Sequence, residues 1–119
     1  MNKLWIEAKS DFLNLNKDLQ IKWLTVFSGY LTIQFRVIFH EEKDINIKLS
    51  KLYTLNEIHH QISPQIGRKI QNINSYPDDL FIDYLYSATE KLNISMLSFL
   101  KSTKNIKNGI DIDFKTFIN

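Results

Sequence analysis

Apolar residues recur at three- and four-residue intervals over residues 3–16, where Leu4, Trp5, Ala8, Phe12 and Leu15 are separated by Lys3, Glu7, Lys9, Asp11 and Asn14. That spacing predicts an amphipathic helix. The pattern changes after it. Leu19, Ile21 and Trp23 alternate with Gln20 and Lys22, and Leu31, Ile33, Phe35, Val37 and Phe39 alternate with Thr32, Gln34, Arg36 and Ile38. These residues are mostly β-branched or aromatic, and Ser28-Gly29 falls between the two runs, so residues 19–39 read as an antiparallel hairpin. His40 to Asp44 make a polar loop, and Ile45, Ile47 and Leu49 a short third strand. A competing reading uses the same letters. Trp5, Ala8, Phe12, Leu15, Leu19, Trp23, Val26, Tyr30, Ile33 and Val37 also fit a spacing of three and four, which would make residues 17–40 one long buried helix.

The second half predicts helices. Thr54-Leu55-Asn56-Glu57 has the form of a capping box, with Leu55, Ile58 and Ile62 as the apolar side of the helix it would start. Ser63-Pro64 restarts or kinks that helix, and Ile66, Ile70 and Ile73 continue its stripe. Ser75-Tyr76-Pro77-Asp78 is a third start signal. The helix after it is expected to run to about residue 102, burying Phe81, Tyr84, Leu85, Ala88, Leu92, Met96 and Phe99. Asn108-Gly109 reads as a turn, and Ile110, Ile112 and Phe114 alternate with Asp111, Asp113 and Lys115 as a last strand. The expected fold class is therefore α+β: an N-terminal helix, an antiparallel hairpin plus short strand, three helical segments and a C-terminal strand. The alternative is an all-α bundle. No repeat, linker or low-complexity run divides residues 1–119, so a single domain is expected.

Composition narrows the chemistry. The chain has 119 residues, 44% hydrophobic and 24% charged, which is globular usage. It has no cysteine, which removes disulfides, thiolate nucleophiles, iron–sulfur clusters and cysteine-ligated zinc. Glu7 and Asp11 interrupt the start, so no signal-peptide apolar run is present, and Lys22, Gln34 and Arg36 rule out a membrane span in residues 19–39. A cytoplasmic location is expected. Formal net charge is +2, with a local asymmetry: residues 43–76 hold five cations against two acids, and residues 77–100 four acids against one lysine.

Several groups bear chemistry in principle. His59 and His60 point about 100° apart on a helix, which does not suit one metal ion, and no free carboxylate lies at the right spacing. His40-Glu41-Glu42 sits on the expected loop. Asp111 and Asp113 share the solvent face of the expected strand. Lys48, Lys51, Arg68 and Lys69 form a basic segment, but arginine is scarce and no glycine-rich phosphate loop accompanies it. No catalytic residue, metal site or cofactor is expected. A His/carboxylate enzyme and a small nucleic-acid-binding regulator are the alternatives to the reading that follows, and nucleic acid is not the expected partner.

The most informative surface lies on the last long helix. Asp79, Asp83, Tyr86 and Glu90 are spaced by four, three and four, with Tyr76 and Asp78 at its head. Carboxylates steer a basic partner, and tyrosine supplies rigid, amphipathic contact area, so these six residues are the expected partner-binding set. Small, cysteine-free, Ile/Lys/Asn-rich bacterial proteins of this size resemble the immunity proteins that neutralise secreted toxins in contact-dependent growth inhibition. The segment Tyr76-Pro77-Asp78-Asp79 with Asp83, Tyr84, Tyr86 and Glu90 is similar to the acidic-aromatic surface by which such proteins cover a basic toxin. The resemblance implies a non-enzymatic toxin inhibitor acting by protein–protein interaction, its partner a secreted toxin domain.

Overall fold

The computed structural model describes residues 3–117. It holds five helices: α1 (Lys3–Asn14), α2 (Lys17–Glu41), α3 (Ile45–Gln71), α4 (Asp78–Lys91) and α5 (Met96–Lys107), followed by a single 3-10 turn at Phe114–Phe117. Among the described residues there is no strand. The fold is an all-α bundle, and the α+β expectation is overturned at three places.

The expected hairpin over residues 19–39 is the body of α2. Asn16 caps the helix by accepting from the Leu19 amide at 2.9 Å. Gln20, Trp23, Leu24, Phe27, Tyr30 and Leu31 are all buried, so the three-and-four spacing describes the core-facing side and the alternation does not. Ser28-Gly29 is not a turn but mid-helix; Gly29 faces solvent, where it costs about 1 kcal/mol relative to alanine without stopping the helix. The β-branched threonines fit because Thr25 and Thr32 donate their hydroxyls to the carbonyls of Ile21 and Ser28, one turn back.

The expected third strand is the first turn of α3. Asp44 accepts from the amides of Asn46 and Ile47, so it opens a helix rather than closing a loop. Thr54-Glu57 then lies inside α3, and the capping-box letters have no helix start to serve. Pro64 is also interior and neither restarts nor ends the helix. Its missing N–H forgoes one backbone bond at a solvent-facing position. The expected last strand is an irregular stretch leading into the 3-10 turn, where Ile112 and Phe117 are buried. Asp111 pairs with Lys22, which holds its carboxyl below the usual range, and Asp113 accepts from the Lys115 amide.

One long helix from Ser75 to residue 102 was also expected, and it is two. Ser75 does not cap. Pro77 occupies the cap position of α4 with no side-chain bond, and the first-turn acids Asp78 and Asp79 complement the helix dipole instead. At the other end Asn93 adopts φ 57°, while its amide reaches the Glu90 carbonyl and that of Ile94 reaches Thr89. These paired bonds end the helix through a left-handed residue, and Gly109 (φ 79°) ends α5 the same way. Asparagine tolerates that conformation better than residues with an unfunctionalised Cβ. Asn93→Ala should therefore lose about 1 kcal/mol, and Asn93→Gly little or none. Thermal unfolding followed by circular dichroism checks this, and an unchanged midpoint for Asn93→Ala would show that the cap does not set the break.

Packing pairs α1 with α5, α2 with α3, and α3 with α4, while the 3-10 turn covers α2 and α5. The core is aromatic at its centre. Trp23 lies 5.2 Å from Phe12, 5.1 Å from Phe27, 4.9 Å from Phe99 and 5.5 Å from Phe117 between ring centroids. Its indole N–H donates to Ser102 Oγ at 3.0 Å. Buried Gln20 donates its amide to the carbonyls of Phe12 and Leu15, satisfying the C-terminal end of α1 and fixing it to α2. Beyond Leu31 and before Leu55 no residue is buried, so the ends of α2 and α3 form a helical hairpin arm standing clear of the core.

Candidate protein-binding surface

α4 is placed by Phe81, Ile82, Leu85, Ala88 and Thr89, all buried. Its opposite side faces water and carries Asp79, Leu80, Asp83, Tyr84 and Glu90, all exposed. Asp79, Asp83 and Glu90 fall along one edge of this side and Leu80, Tyr84 and Ser87 along the other, by the 100° step of the helix. A shallow groove of about 500 Å³ runs between the second edge and α3, lined by Gln61, Leu80, Asp83, Tyr84 and Ser87. Leu80 is 48% exposed and Tyr84 36%.

The six residues singled out from sequence separate into two groups. Asp79, Asp83 and Glu90 stand together on the outward side. Tyr76, Asp78 and Tyr86 instead hold the helix in place. Tyr86 is half-buried, with its ring 4.8 Å from that of Trp5. Tyr76 is half-buried, and its hydroxyl donates to the Gln65 side chain. Asp78 accepts from Lys69, which is 1% exposed and also donates to the Tyr76 carbonyl at 3.2 Å. The tyrosine on the outward side is Tyr84, which the sequence pattern placed in the core. The missed signal is Ile82 and Thr89: counted as core positions, they turn the buried face toward Tyr86 and release Tyr84.

The other candidates are not brought together. His59 is half-buried with its ring 5.7 Å from that of Phe35, and His60 is exposed. His40 lies against Phe39. Glu42 pairs with Lys51 at 2.7 Å, and this lysine holds its carboxyl below the usual value. Among the described residues no three His, Asp or Glu side chains are grouped to hold a metal ion. The basic segment is dispersed: Lys69 is buried, Lys51 is paired, Lys48 sits over the Phe39 ring, and the span from Lys48 to Lys69 is roughly 30 Å of helix. A second cavity of about 390 Å³ lies between the arm and the end of α4, lined by Ile38, Lys51, Leu55, Ile58, Lys91 and Leu92 among others. No described helix is long and apolar enough to cross a membrane. Comparison with protein-family models, curated proteins and solved structures finds no match to the chain.

Proposed function

We propose that the protein is a non-enzymatic binding module that covers a basic surface of a protein partner, and that the partner is a secreted toxin domain, as for the immunity proteins its sequence resembles. One observation carries the reading: the outward side of α4 sets Asp79, Asp83 and Glu90 beside exposed Leu80 and Tyr84 over a shallow groove. Acids beside an apolar, aromatic edge suit an interface in which charge guides encounter and the aromatic side chain anchors the complex.

The test is capture of the partner from the source cell, followed by binding kinetics at two salt concentrations. Asp79→Lys combined with Asp83→Lys should slow association, most strongly at low ionic strength, because exposed charges act over about 10 Å at 0.1 M salt and further below it. Tyr84→Ala should speed dissociation by roughly 30-fold, the effect of losing an anchor worth about 2 kcal/mol. Neither change touches the buried side of α4, so far-UV circular dichroism should be unaltered. Unchanged kinetics in both variants would remove α4 from the interface.

A further inference from the structure

The arm formed by the ends of α2 and α3 displays apolar surface that the core does not cover. Ile45, Leu49 and Tyr53 are 60%, 58% and 69% exposed, and Phe39 is 57% exposed. The first three recur every four residues, so they form one stripe about 12 Å long on α3. Two contacts show which side of the hairpin this is. Lys48 lies 4.8 Å over the Phe39 ring, and His59 meets Phe35 edge-on, so α2 turns Phe35 and Phe39 toward the same side of α3 on which Lys48 and the stripe begin. Ile47, two residues from both Ile45 and Leu49, lies about 160° round the helix from each and so is on the side opposite the stripe.

We propose that this face is a self-association surface, on which a second copy of the chain docks by two-fold symmetry. Two features of the arm select a second copy as the occupant. The first is area. The four exposed side chains present on the order of 500 Å² of surface, so two copies packed through them bury about 1,000 Å² in all, the area a specific interface needs at the low end of its range. The second is the layout of the stripe. Its three members are evenly spaced about Leu49, so a two-fold axis there sets Leu49 against Leu49 and Ile45 against Tyr53 of the other copy, the self-complementary arrangement that symmetric dimers require. Two helical hairpins packed in this way make a four-helix bundle. The surface is separate from the outward side of α4.

The absence of cysteine in the chain makes the test direct. In sedimentation equilibrium the full chain should show twice its 14.1 kDa mass at micromolar to submillimolar concentrations. Leu49→Glu should weaken the dimer by roughly 100-fold or more, since the axis doubles each substitution, with the helical circular dichroism unchanged. Asp79→Lys with Asp83→Lys should leave the mass unchanged. Under mild oxidation Leu49→Cys should couple into a covalent dimer far faster than Ile47→Cys. A chain monomeric throughout that range overturns the proposal, as does equal coupling at the two positions. Stripe-dependent binding of a monomeric chain to phosphatidylcholine–phosphatidylglycerol vesicles would assign the face to a lipid surface and overturn it as well.

Discussion

Trp23→Ala should destabilise the protein by about 3–5 kcal/mol, a large part of the 5–15 kcal/mol typical of a whole domain. Trp23 is fully buried, and the rings around it come from four elements: Phe12 from α1, Phe27 from α2, Phe99 from α5 and Phe117 from the 3-10 turn. No single element can move to close the cavity without parting from another, so the vacated volume persists. The substitution also removes the indole donor from Ser102, whose hydroxyl keeps its own bond to the Phe99 carbonyl at 2.6 Å. Trp23→Phe separates the two effects. It retains a ring and loses the N–H, and should cost about half as much or less. Urea unfolding followed by far-UV circular dichroism measures both. A midpoint for Trp23→Ala close to the wild type would mean that the aromatic centre does not organise the bundle.

Asp78→Ala should cost about 2–3 kcal/mol, whereas Asp79→Ala, one residue along, should stay within about 0.5 kcal/mol. The difference comes from the partner. Lys69 is 1% exposed while the Asp78 side chain is 46% exposed. Removing the carboxylate leaves a buried ammonium with the Tyr76 carbonyl as its one remaining partner among the described residues. Removing the lysine is milder: Lys69→Met keeps the stem's volume and leaves a carboxylate already half in water, so it should cost less than Asp78→Ala. Chemical denaturation of the three variants decides the matter, and equal losses for Asp78→Ala and Asp79→Ala would refute the asymmetry. The result bears on function, because a loss of partner binding in an Asp78 variant would report a displaced α4 and not a lost contact.

Helix α1 was legible from its spacing, and α4 from Phe81, Leu85 and Ala88. The error in α2 has a physical source. Residues 31–39 alternate because most of them lie on the arm, where no core sorts the sides of the helix, and composition then points to a strand. Over residues 20–31, where a core exists, the helical spacing is strict. Asp44 reads as loop from sequence because its capping role depends on the three-residue connection between two helices, and the alternating pattern hides the first of them. The break at Asn93 was invisible because asparagine carries no demand for a left-handed conformation; it merely permits one. On the functional side the acids Asp79, Asp83 and Glu90 could be placed from sequence. The exchange of Tyr84 for Tyr86 could not, because it turns on where Trp5 of α1 packs.

The pairing of α1 with α5 governs how the chain reaches this structure. Trp5 and Phe99 meet from opposite ends of the sequence, at 5.3 Å, whereas α2 and α3 adjoin across a three-residue connection. Closing the longer loop carries the larger entropic penalty, so α2–α3 should form early and α1 dock late. In stopped-flow measurements Ala8→Gly should then act mainly on the unfolding rate and Ile58→Val partly on the folding rate; the reverse would mean that the ends nucleate. During synthesis the consequence is sharper. Trp5 and Phe12 leave the ribosome long before Phe99 exists, and at 5–20 residues per second the nascent chain displays them unsheltered for on the order of 5–20 s, the interval in which it most needs a chaperone.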